Sequence, residues 1–310
     1  GKRFVRNYKS RFPPRQREVP PEPPETVIAS LLFQIGDQNE ENSVEENIQQ
    51  LLTSLEPQLN DHKDVFLQMV IPIVFAQPVK TSMFGVLIGV LNANKPQLGR
   101  EIIDKLAQTF QEACNTTHPY KIRLLLRFAV ELIGVNVLTV ESFTNLLGRI
   151  IEQCDPDKNG RMQENAAAAS DCSARSELFL SIILDILPFI GKTLFQKHPQ
   201  FLTQTLHTLS HIFRAREETM PPAARKMLSV FNQGNETAIN WAQDKWNQLV
   251  KALTPNGNGN WEEMTESDWN LFDNLIIRPD FSPFTETISK GVPLDLKEIS
   301  IPDHEIGQDF

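Results

Sequence analysis

Three groups of residues have types and spacings that could do chemistry, and each falls short of it. Asp155-Pro-Asp-Lys-Asn-Gly reads like the start of an EF-hand loop, with Asp155, Asp157 and Asn159 at ligand positions one, three and five and Gly160 at the sharp turn. Position twelve must supply a bidentate glutamate to complete the calcium shell. That position is Ala166, so calcium binding is not expected. His207 and His211 stand four residues apart on one predicted helix face. A zinc protease needs a glutamate directly after the first histidine as general base. The residue there is Thr208 and no third ligand is evident, so both are read as surface or boundary histidines. Cys114, Cys154 and Cys172 are odd in number and widely spaced, which fits neither a disulfide framework nor a zinc site. Free thiols in a reducing compartment are the better reading, although Cys154 and Cys172 could pair. With no glycine-rich phosphate loop, nucleophile elbow or Cys/His pair, no catalytic, cofactor-binding or metal-ligating residue is assigned, and the chain reads as a non-enzyme.

The charges are more informative. Residues 1–17 carry seven basic side chains and no acid: Lys2, Arg3, Arg6, Lys9, Arg11, Arg15 and Arg17. Pro20, Pro21, Pro23 and Pro24 follow. Prolines deny helix and like charges repel, so residues 1–25 are expected to be an extended, flexible arm. Its chemistry suits a nuclear import signal or a phosphate-binding arm. Residues 254–310 balance it with twelve acidic residues against three basic ones. The body between them is mildly acidic and a poor candidate for binding nucleic acid along its own surface. Within it, Arg123, Arg127 and Glu131 form a narrow polar stripe at i, i+4, i+8 on an otherwise apolar helix. The stripe could face an acidic partner peptide. More simply, Arg127 pairs with Glu131 and the stripe is the solvated face.

These residues are positioned by helices. Apolar residues recur at helical spacing over 26–36, 44–59, 62–74, 79–93, 97–114, 120–135, 139–153, 176–187, 199–216 and 236–253, and no convincing period-2 alternation is found. Ser43 and Glu46 make a capping box. The helix over 120–135 is apolar almost all round, so it must be covered on nearly every side and is expected to be the middle rung of a stack. Helices begin about every 20 residues, and pairs therefore recur at the length of a HEAT-type hairpin. The expected fold is all-α, a right-handed α-solenoid of antiparallel hairpins over 26–253. Residues 154–175 are polar and are expected to be a mobile surface loop. Residues 254–310 read as an acidic tail or a linker to a further domain. Their Trp261, Trp269, Phe272, Phe281 and Phe284 are expected to pack on the last hairpin or lead onward. No apolar run approaches the ~20 residues needed to span a bilayer, and no signal peptide is seen. The chain opens on Gly rather than Met, as a fragment would.

Four motifs add a resemblance. Met83-Phe-Gly-Val-Leu-Ile-Gly-Val-Leu-Asn-Ala-Asn with Gly99-Arg-Glu, Lys121-Ile-Arg-Leu-Leu-Leu-Arg-Phe, Ile183-Leu-Asp-Ile-Leu-Pro-Phe-Ile-Gly-Lys-Thr-Leu-Phe, and Asn7-Tyr-Lys-Ser-Arg-Phe-Pro-Pro-Arg-Gln-Arg occur in this order. Together they resemble the first helical domain of nuclear cap-binding complex large subunits, fungal members in particular, from about residue 7 to 250. The resemblance implies a fold like the middle domain of initiation factor 4G (MIF4G). It implies a non-catalytic scaffold that supports a small RRM-type cap-binding subunit, meets capped RNA only indirectly, and recruits RNA processing and export adaptor proteins. It also implies nuclear localisation, with importin recognising the basic arm, and no cofactor or membrane. Two rival readings are an importin-type transport receptor and the middle domain of a translation initiation factor.

Overall fold

The structure is a computed structural model that describes residues 22–37, 43–116, 118–154, 166–219, 241–254, 257–275 and 281–301. Its body is a run of helices: α1 (Pro24–Phe33), α2 (Val44–Asp61), α3 (Lys63–Ala76), α4 (Thr81–Asn94), α5 (Pro96–Asn115), α6 (Pro119–Gly134), α7 (Val140–Glu152), α8 (Ala166–Lys197), α9 (Pro199–Thr219) and α10 (Trp241–Leu253). Two short helices follow, α11 (Glu266–Trp269) and α12 (Ser282–Ser289). The architecture is all-helical and HEAT-like, as the sequence spacing predicts. The one backbone pairing of strand type among the described residues is an isolated parallel bridge between Leu138 and Leu294.

Local signals explain the element ends. The Ser43 hydroxyl accepts the Glu46 amide at 3.2 Å, and the Glu46 carboxylate accepts the Ser43 amide at 3.0 Å, which closes the expected capping box. Pro96 and Pro119 open α5 and α6 at the position where a missing N–H costs nothing. Very short connections turn the chain back on itself at α2/α3, α4/α5 and α8/α9, and each of these pairs packs together.

The middle of the stack is its most buried part. In α4 every residue from Phe84 to Asn92 is buried. It packs against α5 and α6, while α6 in turn packs against α8. Leu125, Leu126, Phe128 and Leu132 on α6 are fully enclosed, so this helix is the covered middle rung that its composition requires.

Two expectations need correction. The segment read as a loop over 154–175 is helical from Ala166 onward, because α8 runs 32 residues from Ala166 to Lys197. The Ala166–Ala169 run has the highest intrinsic helix propensity, and it extends the apolar helix backwards. Second, Ser176–Lys197 is long and apolar enough to cross a bilayer by length and composition, which the sequence reading did not expect. In the fold it is a core helix. It packs against α6, α7, α9, α10 and α11, and carries Asp185 paired to two cations near its middle. The connector over Met220–Asn235 lies outside the described residues.

Candidate partner-binding surfaces

The polar stripe of α6 points inward, at α8. Arg123 Nε lies 2.8 Å from Asp185 Oδ2, and its guanidinium also donates to Ser181 Oγ at 3.1 Å. Lys245 on α10 bonds the other oxygen of Asp185. One carboxylate therefore ties three helices together. Arg127 pairs with Glu131 at 2.6 Å, as the spacing predicts, and its guanidinium lies 3.8 Å from the ring centroid of Phe189. Glu131 is only 3% exposed. The stripe is thus tied to α8 rather than left as a plain solvated face: Glu131 is enclosed, while Arg123 keeps 39% of its side chain exposed. A single-helix window could not show this, because Asp185, Phe189 and Lys245 come from distant parts of the chain.

The tail after α10 docks on the body in three steps. Trp246 stacks on Phe213 at 5.1 Å between centroids, Trp261 tilts against it at 5.5 Å, and the Trp261 indole donates to Ser210 Oγ at 3.0 Å. Of the five aromatics expected on the last hairpin or leading onward, Trp261 is the one seated there. Next, Trp269 lies against α8 at Gly191, Lys192 pairs with Asp273 at 3.0 Å, and Gln196 donates to Glu266 at 2.7 Å. The Leu-Pro-x-x-Gly-Lys motif of α8 is therefore the receptor for the tail. Finally α12 returns to α4, where Phe284 is buried and Ile288 reaches Gly89. Any side chain at Gly89 would stand 3.2 Å from Ile288 and 3.1 Å from Val135, so its absence lets both neighbours close in.

Beyond α12 the chain becomes an extended strap, residues 291–301, lying in a groove whose two walls are α5 and α7. Asn136 adopts a left-handed conformation (φ 57°) and donates to the Gly291 carbonyl at 2.7 Å. Asn92 donates to the Val292 carbonyl at 3.2 Å. The Leu294 amide donates to Val137 O at 2.8 Å, and the Thr139 amide donates to Leu294 O at 3.1 Å. Arg100 holds the Asp295 carbonyl and Arg149 the Ile299 carbonyl, each at 3.0 Å. Gln111 bonds both the amide and the carbonyl of Ser300 at 2.8 Å. Side-chain pairs reinforce the seat: Arg149 with Glu298, Lys297 with Asp104 at 3.1 Å, and Thr139 with Asp295. On the far side of α5 from α7, a cleft of about 500 Å³ is lined by Leu67 of α3, by Glu101, Ala107 and Gln108 of α5, and by Lys297 of the strap.

Along this cleft Lys63 meets Glu101 at 2.9 Å. The hydrogen bond to Glu101 raises the Lys63 ammonium above its usual value, and the same bond holds the Glu101 carboxyl below its own.

The other sequence candidates are placed as follows. The basic residues Lys2, Arg3, Arg6, Lys9, Arg11, Arg15 and Arg17 lie outside the described residues, as do Asp155, Asp157, Asn159 and Gly160. His207 and His211 are exposed on α9, as surface histidines would be. Cys114 and Cys154 are buried, while the Cys172 side chain is outside the described residues. Among the described residues, no group of three or more His, Cys, Asp or Glu could hold a metal ion. What the sequence reading missed is the groove for the strap, since its parts are single polar residues on four elements.

The described residues form an all-helical stack of hairpins with one extended segment seated in a groove on its surface. The chain belongs to the MIF4G domain family, matching it over residues 35–233. Among curated proteins it is similar to Nuclear cap-binding protein subunit 1 of Aedes aegypti, with 24% identity over 199 residues, which is 64% of this chain and 23% of that protein. The protein of the same name from Anopheles gambiae is 22% identical over the same shares of both chains. The matched stretch is therefore less than a quarter of the length of these relatives.

Proposed function

We propose that this chain is a non-catalytic scaffold of the nuclear mRNA cap-binding complex. In that role it supports a small RRM-type cap-binding subunit, touches capped RNA only through it, and recruits RNA processing and export factors. The observation that carries this reading is the pairing of a MIF4G match over 35–233 with relatives named as cap-binding subunits over 64% of the chain. The interior supports it: Asp185 is held in ion pairs from two other helices, and the buried Glu131 is paired with Arg127 of its own helix. The basic arm of residues 1–17 then serves importin, and the protein is nuclear. Deleting residues 1–17 from a fluorescent fusion should abolish nuclear accumulation, and unchanged import removes that role from the arm.

The decisive experiment is retention of the natural protein on cap-analogue resin, before and after a high-salt wash that strips bound proteins. The expected result is retention that depends on a small co-eluting RRM protein. A protein that ignores the resin but carries basic cargo is a transport receptor instead. One that ignores the resin and binds a helicase is an initiation-factor domain.

A further inference from the structure

The groove between α5 and α7 holds the strap mainly by its backbone. Asn92, Arg100, Gln111, Asn136 and Arg149 all bond main-chain atoms of residues 291–301, and Val137 and Thr139 add two more backbone bonds. Contacts of this kind accept any extended segment, and pockets for alternate side chains then supply selectivity, as in strand-addition recognition. Two pockets exist here. Leu296 and Ile299 are buried, whereas Val292, Pro293, Asp295, Lys297, Glu298 and Ser300 are exposed. Glu298 meets Arg149 directly before the second anchor.

The strap is also a weak tenant of this groove. Three of the six side-chain bonds to its main chain are exposed, and its apolar contacts are Leu296 and Ile299, with Leu294 and Ile301 partly buried; this is little burial for eleven residues, as in a segment that opens before the rest of the fold. The tail is anchored independently upstream, by Trp261 and Trp269, so opening the strap leaves those contacts intact.

We propose that this groove is a docking site for an extended partner peptide carrying two aliphatic anchors three residues apart, with an acidic residue directly before the second. The chain's own Leu296-Lys-Glu-Ile299 occupies the site in cis and competes with the partner. A tethered competitor acts at an effective concentration near the millimolar range, so it sets a threshold that only a well-matched or locally concentrated partner passes. The proposal goes beyond the cap-complex role and stands on the groove alone.

The test uses the full 310-residue chain and a fluorescein-labelled synthetic peptide of residues 291–301, read by fluorescence anisotropy. The wild-type chain, Ile299→Asp, and Ile299→Asp combined with Gln111→Ala and Arg149→Ala are compared. The expected result is that Ile299→Asp binds the peptide at least about ten-fold more tightly than wild type, because the tethered competitor is weakened. The combined variant should lose that gain, and a scrambled peptide should bind neither. Should Ile299→Asp fail to fold, Glu298→Arg weakens the strap from its solvent side by opposing Arg149. A folded variant whose strap amides exchange faster but which binds no peptide overturns the proposal. So does binding that ignores Gln111 and Arg149. If both strap variants unfold, the strap is a fixed part of the core and the proposal is likewise overturned.

Discussion

The indole of Trp269 lies so close to the backbone of Gly191 that a Cβ built there would fall 1.9 Å from the ring. Trp269 is 1% exposed and comes from the tail, whereas Gly191 is in the middle of α8. An intrinsically poor helix residue is thus placed where α8 must receive a ring.

Gly191→Ala should therefore destabilise the protein, although alanine is about 1 kcal/mol better than glycine in a helix interior. Overpacking costs roughly 1–3 kcal/mol and pushes the indole off α8. Urea denaturation measures the loss, and tryptophan fluorescence should shift to the red as Trp269 meets water. A more stable Gly191→Ala protein would mean that the ring is not seated in the native state.

Asp185 should behave as a joint of three helices. Its side chain is 17% exposed, forms an ion pair with Arg123 and accepts a hydrogen bond from Lys245. Asp185→Asn keeps the shape but leaves two cations facing a neutral amide, and should cost about 1–3 kcal/mol. A double-mutant cycle with Arg123→Met should show a coupling of at least about 0.5 kcal/mol, and strict additivity would refute the joint.

Leu125→Asp should unfold the domain. Leu125 is fully buried on α6, and an unpaired carboxylate there costs more than the whole stability margin of about 5–15 kcal/mol leaves room for after the lost packing. Circular dichroism should show no cooperative transition. An unchanged thermal midpoint would remove α6 from the centre of the fold.

The Lys63–Glu101 pair should contribute a pH-dependent term. Because Glu101 titrates lower when folded, its contribution is complete above the unfolded value of about 4.3 and fades as pH falls through the folded one. Because Lys63 titrates higher when folded, its contribution is complete below about 10.4 and fades as pH rises through the folded value. Urea midpoints between about pH 3 and 7 should fall less steeply towards acid in Glu101→Gln than in wild type. The pair is exposed, so the difference should be small and shrink in high salt. A difference that persists undiminished in high salt would contradict this account.

The body of the fold was legible because its signals are local. Helical period, the Ser43 capping box and the prolines opening α5 and α6 all act within a few residues, and they placed most helix ends within a few positions. The stripe on α6 was legible as a stripe but not in its direction. The Arg127–Glu131 pair needs one turn of helix, whereas the partners of Arg123 arrive with α8 and α10. The start of α8 was missed because the alanine run at 166–169 sits in a polar segment that mimics a loop. The strap was missed for a different reason. Its sequence has no period to detect, because a segment held by its backbone need not advertise itself in its side chains.

The bridge between Leu138 and Leu294 changes what kind of polymer this is. A simple array of hairpins touches only its neighbours, so it can melt from one end like a zipper. Here the last described residues return to Asn92, Gln111 and Asn136 in the middle of the chain. That return adds pairings between residues far apart in the chain, which slow folding. It also orders events during synthesis. Hairpins built early must wait, with a bare groove, until residues 291–301 have been made and can cover them.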